Sequence, residues 1–157
     1  DDAGRYRHQR RPDWIPFSDQ VMGGISEVNI LELKEEEFSF YRLEGNVSTE
    51  NNGGFIQVRS DVNLRSKDLK GIRIKVRGNN NEYYVHLRSP RMLPWNYYAS
   101  KFYVTQEWQV IDLPLSSFEY SRDTSKSFSS SKITTLGIVA FGKDFFAQVD
   151  IAGVEFY

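Results

Sequence analysis

Cysteine is absent from the 157 residues, which removes disulfides, thiolate zinc sites, iron–sulfur clusters and thiol nucleophiles from consideration. Histidine is nearly absent: the sequence holds two, His8 and His86, with no ligand spacing around either, so neither a metal nor a cofactor is expected. No run approaches the ~18 apolar residues of a membrane-crossing helix, so the chain is expected to be soluble, without a transmembrane segment. A net charge of -1 and a pI near 6.2 argue against a nucleic-acid partner, because such proteins carry a dominant basic surface. P-loop and dinucleotide glycine patterns are missing. Gly24-Ile25-Ser26-Glu27-Val28 begins like a nucleophile elbow but lacks the closing glycine and the helix that should follow. Asp112, Asp144, Asp150 and Glu155 lie near strands and leave only a glycosidase-type carboxylate pair open, since that separation is spatial. The expectation is a protein without catalytic residues.

The chain does hold 39% hydrophobic and 15% aromatic residues, enough for one cored domain, which the pattern places over residues 13–157. Ahead of it, residues 1–12 carry Arg5, Arg7, His8, Arg10 and Arg11 with little apolar content, and read as a flexible basic arm. The first residue is Asp1 rather than Met, read as a processed or trimmed start; this leaves the compartment open between the cytoplasm, which is favoured, and export.

Period-two alternation recurs along the chain. Ile72, Ile74 and Val76 point one way and Arg73, Lys75 and Arg77 the other; after Gly78-Asn79-Asn80-Asn81, Tyr83, Val85 and Leu87 alternate with Tyr84, His86 and Arg88. These two runs are expected to pair antiparallel across the turn, bringing the cations, the tyrosine and the imidazole onto one face. His86 is expected to be a hydrogen-bonded structural imidazole. Further alternation over Tyr97 to Thr105 sets Tyr98, Phe102 and Val104 against Tyr97, Lys101 and Tyr103. Between them a loop broken by Pro90 and Pro94 carries Met92, Leu93 and Trp95, too apolar to be an ordinary solvated connection. With strands also at Val28–Leu33, Phe38–Leu43, Ile56–Arg59, Trp108–Leu113, Ile133–Phe141 and Ala147–Tyr157, about nine strands and no amphipathic helix specify an all-β sandwich or jelly roll. The candidate partner- or ligand-binding residues are Arg73, Lys75, Arg77, Tyr84, His86, Arg88, Trp95, Tyr97 and Lys101.

Two glycine pairs punctuate the first third: Asp19-Gln20-Val21-Met22-Gly23-Gly24-Ile25-Ser26, and Asn51-Asn52-Gly53-Gly54-Phe55, which reads as a turn or close backbone approach between strands. Together with Gly45-Asn46-Val47-Ser48, Gly71 to Gly78, Tyr98-Ala99-Ser100-Lys101-Phe102 and Trp108 to Leu115, these blocks resemble the complex I intermediate-associated protein family in order and spacing. The Asn-Asn-Gly-Gly-Phe form is similar to its bacterial branch. The resemblance implies a galactose-binding-like jelly roll, similar to carbohydrate-binding modules, with no catalytic residues to carry over and with Asp19, Met22, Gly23, Gly24, Ser26, Asn51, Asn52, Gly53, Gly54 and Phe55 as structural turns. It also implies a chaperone-like role, since mitochondrial members assist assembly of respiratory complex I. The resulting expectation is a binding or assembly module with a protein partner such as an unassembled subunit; the alternative is a carbohydrate-binding module for an acidic glycan.

Overall fold

Strands that alternate apolar and polar residues bury one face each, and two sheets of such strands close on one another. The computed structural model describes residues 14–62, 69–90, 92, 96–121 and 132–157, so the arm over residues 1–12 and Trp95 lie outside the described residues. The strands are β1 (Ile15–Ser18), β2 (Asn29–Glu35), β3 (Phe38–Val47), β4 (Phe55–Asp61), β5 (Gly71–Gly78), β6 (Glu82–Arg88), β7 (Tyr98–Tyr103), β8 (Gln109–Pro114), β9 (Glu119–Tyr120), β10 (Thr135–Phe141) and β11 (Phe145–Phe156). They form a six-stranded sheet in the order β1-β4-β10-β6-β7-β9 and a five-stranded sheet in the order β2-β3-β11-β5-β8. Every pairing is antiparallel, so the fold is an all-β jelly-roll sandwich.

The core is the set of inward alternates from both layers. Ile56, Val58, Val85, Leu87, Leu136 and Ile138 meet Leu43, Ile72, Ile74, Val76, Val149 and Ile151, and all are buried. At ~25 cal/mol per Å2 of apolar surface removed from water, this face-to-face burial is the main favourable term in folding.

The expected β5–β6 hairpin does not form. β5 bonds to β11 and β8, β6 bonds to β10 and β7, and the chain between them crosses from one sheet to the other. Asn79 and Tyr83 fix the crossing: the Tyr83 hydroxyl donates to the Asn79 side-chain oxygen at 2.6 Å, while the Gln148 N–H of the opposite sheet donates to the Tyr83 oxygen at 2.9 Å. Gly78 permits the approach, since a Cβ there would lie 2.6 Å from the Gln148 carbonyl oxygen. Asn51 to Gly54 likewise joins strands of different sheets, β3 and β4.

Both glycine pairs close around one buried carboxylate. Asp19, fully buried, accepts hydrogen bonds from the Ser26 N–H (2.9 Å), the Ser26 hydroxyl (2.5 Å), the Gly54 N–H (2.5 Å) and the Phe55 N–H (3.2 Å). A Cβ at Gly24 or at Gly53 would stand 2.4 Å from Asp19 side-chain atoms. Gly54 adopts φ +119, a conformation that L side chains resist. Burial pushes the Asp19 carboxyl up, but hydrogen bonds from Gly54, Ser26 and Phe55 outweigh it and hold the group below the ordinary aspartate range. Asp19→Ala takes the side-chain acceptor from the Ser26, Gly54 and Phe55 N–H groups, leaving the Ser26 hydroxyl only the Ser48 carbonyl at 3.2 Å, and is expected to cost about 3–5 kcal/mol, read as a lowered urea midpoint at pH 7.

Candidate functional site

Because β5 and β6 belong to different layers, the outward residues anticipated as one surface are divided between the two outer faces of the sandwich. Arg73, Lys75 and Arg77 sit on the five-stranded sheet, and Tyr84, His86 and Arg88 on the six-stranded sheet. A single cationic docking face over all six therefore does not exist.

The first three are engaged within their own layer. Arg73 pairs with Asp112 at 2.7 Å and Glu155 at 2.9 Å, and Arg77 with Glu35 at 2.7 Å and Asp150 at 2.8 Å. Asp150, almost fully buried, also receives Arg42 at 2.7 Å. Lys75 lies 4.7 Å from the Phe38 ring centroid, and Arg77 lies 4.4 Å from Trp108 and 5.1 Å from Phe40. These side chains form a self-neutralised layer over the five-stranded sheet.

The six-stranded sheet presents a groove. Its volume is about 570 Å3, and Phe17, Val21, Gly53, Gly54, Phe55, Gln57, Arg59, His86, Arg88, Tyr97, Val139, Phe141 and Gly142 line it. Register explains the depression. Gly137 of β10 lies between Arg59 of β4 and His86 of β6, and His86 in turn pairs with Ala99 of β7, so two small residues interrupt one row of outward side chains. Glycine within a central strand marks a place where another group comes close, and here that group is the Gln57 side chain: a Cβ at Gly137 would stand 2.8 Å from Gln57 Oε1. The next row reads Phe17, Gln57, Val139, Tyr84, Lys101.

Aromatic rings run along one side of the groove. Tyr97 stacks on His86 with centroids 3.9 Å apart and planes 8° from parallel, and Tyr84 lies 4.5 Å from Phe141. On the opposite side Phe17 meets Phe55 edge-on at 5.9 Å and carries the Arg59 guanidinium at 4.5 Å. Tyr97 and Lys101 thus stand on the sheet of Tyr84 and His86; Lys101 is exposed and 3.7 Å from Glu82.

His86 is buried, but it is not the hydrogen-bonded imidazole expected from the sequence: its Nε2 is buried with no hydrogen-bond partner. Burial, with Arg59 and Arg88 adding repulsion, lowers its pKa to about 3, so the ring is neutral at pH 7. Arg59 is treated similarly, its pKa lowered by burial and then by Arg88, against a partial offset from Asp61. Arg88 donates from Nε to the Asn96 carbonyl at 2.9 Å.

Phe17, Arg59, Val139 and Phe141 were not anticipated from the sequence as site residues. The alternation Phe55, Gln57, Arg59 was visible, but only the pairing of β4 with β10 brings it beside His86. Among the described residues no group of three or more His, Asp or Glu is arranged to hold a metal. No helix among them is long and apolar enough to cross a membrane.

The family model for complex I intermediate-associated protein 30 (CIA30) matches residues 5–149. Among solved structures, the family 11 carbohydrate-binding module from Clostridium thermocellum, in complex with a β-1,3-1,4-mixed-linked tetrasaccharide, is 15% identical with a TM-score of 0.72, covering 92% of this chain and 88% of that one. The family 11 module of the C. thermocellum cellulosomal cellulase Lic26A-Cel5E is also 15% identical, with a TM-score of 0.72 over 91% and 86%. TmCBM61, in complex with β-1,4-galactotriose, is 8% identical with a TM-score of 0.51 over 92% and 88%. No curated protein matches the chain.

Two outcomes follow from the electrostatics. In the unfolded chain His86 titrates near pH 6.5, whereas in the fold it stays neutral down to about pH 3. The neutral ring therefore costs nothing above about pH 6.5, and below it the unfolded state gains a proton that the folded state refuses. Stability should fall by about 1.4 kcal/mol per pH unit between about pH 6 and 4 from this residue, and His86→Gln should flatten that slope in urea titrations. On the other layer, Arg77→Glu sets a third carboxylate beside Glu35 and Asp150 and should cost about 3 kcal/mol or more, while Lys101→Glu on the exposed pair should change the midpoint by less than about 0.5 kcal/mol.

Proposed function

The chain belongs to the complex I intermediate-associated protein 30 family, and we propose that it is a non-catalytic binding domain that holds a carbohydrate chain in the groove of its six-stranded sheet. The observation that carries this reading is the groove itself: about 570 Å3, walled by the Tyr97–His86 stack on one side and by Phe17 and Phe55 on the other. That volume falls within the ~300–1,000 Å3 usual for ligand clefts. Aromatic rings suit the apolar faces of pyranoses, and Gln57 and Arg59 supply donors for hydroxyls. The sandwich is that of modules solved with bound oligosaccharides, which supports the reading at the level of fold. Glycosidase chemistry lacks its equipment here, because the described lining residues include no Asp or Glu.

A second reading, a chaperone-like factor that docks a protein during assembly of a respiratory complex, is favoured by the family match and by exposed apolar side chains at the same edge. Ile15 and Val21 are 65% and 73% exposed, and Phe141 is 37% exposed. An exposed apolar rim of this kind is common at protein interfaces.

Calorimetric titration separates the two. The groove reading expects millimolar or tighter binding of a neutral or acidic oligosaccharide from a panel of β-glucan, galactan and uronate trimers, weakened about tenfold by Tyr97→Ala. No heat with any member of the panel at millimolar concentration would sink it. The assembly reading expects co-purification of a respiratory subcomplex that is lost on Val21→Glu with Ile15→Glu.

A further inference from the structure

The arginines on the two outer faces are treated differently. On the five-stranded sheet, Arg42, Arg73 and Arg77 each meet at least one carboxylate oxygen within 2.9 Å. In the groove, Arg59 has no salt bridge among the described residues; it stands over the Phe17 ring, and its Nε is buried without a hydrogen-bond partner among them. Arg88 stands close enough to repel it. Removing a guanidinium partly from water beside a second cation is unfavourable unless an anion answers it. None of the described lining residues is acidic, although the chain as a whole carries net charge -1. Asp61 lies two residues along β4 and pairs with Thr135, on the next row.

The surroundings of Arg59 add shape to this charge. Gly137, its neighbour on β10, brings no side chain of its own between Arg59 and His86, and the Gln57 amide lies over it, since a Cβ there would stand 2.8 Å from Gln57 Oε1; Ala99 is the neighbour of His86 on the far side. His86 contributes a second polar atom, Nε2, buried without a hydrogen-bond partner among the described residues. The groove thus combines ring faces, a guanidinium that Asp61 only partly offsets and two buried nitrogens without hydrogen-bond partners within a single depression. We propose that its ligand is a glycan bearing a carboxylate on a ring, a uronate-type sugar, with Arg59 as the counter-charge and the Gln57 amide, two residues along β4, as a further hydrogen-bonding group. The planar guanidinium fork matches a carboxylate in two parallel hydrogen bonds, which a neutral hydroxymethyl group cannot reproduce. The proposal rests on the carbohydrate reading of the groove and names the class of sugar it takes.

Trimers of galacturonate and mannuronate, each beside its carboxyl-reduced neutral counterpart, test this by calorimetry with the whole chain. At least one acidic trimer should bind, its reduced counterpart at least tenfold more weakly, with the difference shrinking as salt rises. Arg59→Met should bring the acidic-to-neutral affinity ratio towards one, and Arg59→Lys, which keeps the charge but loses the fork, should leave an intermediate ratio. Unchanged urea midpoints would confirm that both variants are folded, and the comparison of acidic with reduced trimers on the unaltered chain does not depend on them. Equal binding of an acidic trimer and its reduced form, or a ratio untouched in Arg59→Met, overturns the uronate assignment while leaving the carbohydrate reading in place. Failure of every trimer, acidic and neutral, overturns both.

Discussion

The Asp19 carboxylate is the interaction on which the recognition surface depends. Among the described residues it has no cation as a partner; its charge is answered by two backbone N–H groups from one glycine-containing segment and by the N–H and hydroxyl of Ser26 from the other. An ionised group deep in a protein is tolerated only when such donors replace its water, and here they come from segments more than two dozen residues apart in the chain. Gly53, Gly54 and Phe55, which Asp19 gathers, form one wall of the groove. The Ser26 hydroxyl receives the Ser48 N–H at 2.8 Å, which ties the end of β3 into the same knot. Without that carboxylate, the loops above β4 have no reason to stand where they do.

Beyond this knot, the two outer faces divide their labour. Over the five-stranded sheet, guanidinium groups pair with carboxylates and the rings of Phe38, Phe40 and Trp108 pack together, although Trp108 Nε1 is buried there with no hydrogen-bond partner among the described residues. Over the six-stranded sheet the rings stack, but Arg59 and His86 keep unmet hydrogen-bonding atoms. Unmet polar groups weaken a fold, and in the groove two of them share one depression with a set of ring faces, which makes it the candidate site.

Much of this was legible beforehand, and the limit is physical. Period-two alternation correctly divided Ile72, Ile74, Val76, Tyr83, Val85 and Leu87 from Arg73, Lys75, Arg77, Tyr84, His86 and Arg88. Alternation fixes which side of a strand faces the core; it carries no information about which sheet the strand joins. Gly78-Asn79-Asn80-Asn81 has the composition of a hairpin turn, yet in a sandwich the same residues cross between layers, and only the Tyr83 contacts to Asn79 and Gln148 reveal the choice. Arg59 stayed hidden for the same reason, because its proximity to His86 passes through β10, some eighty residues further along the chain. The glycine pairs were readable as turns, but that both enclose Asp19 is a three-dimensional fact. β1 and the two-residue β9 are too short for a periodic signal to stand out.

The crossing between β5 and β6 has an evolutionary corollary. Outward side chains on these sequence-adjacent strands look away from each other through the full thickness of the sandwich, about 10 Å between sheets. Drift along β6 can therefore alter what the groove accepts while the ion-paired layer beyond β5 is left untouched. A lineage built on this chassis is free to diversify its ligands one residue at a time, with the means of cohesion kept out of reach of that experiment.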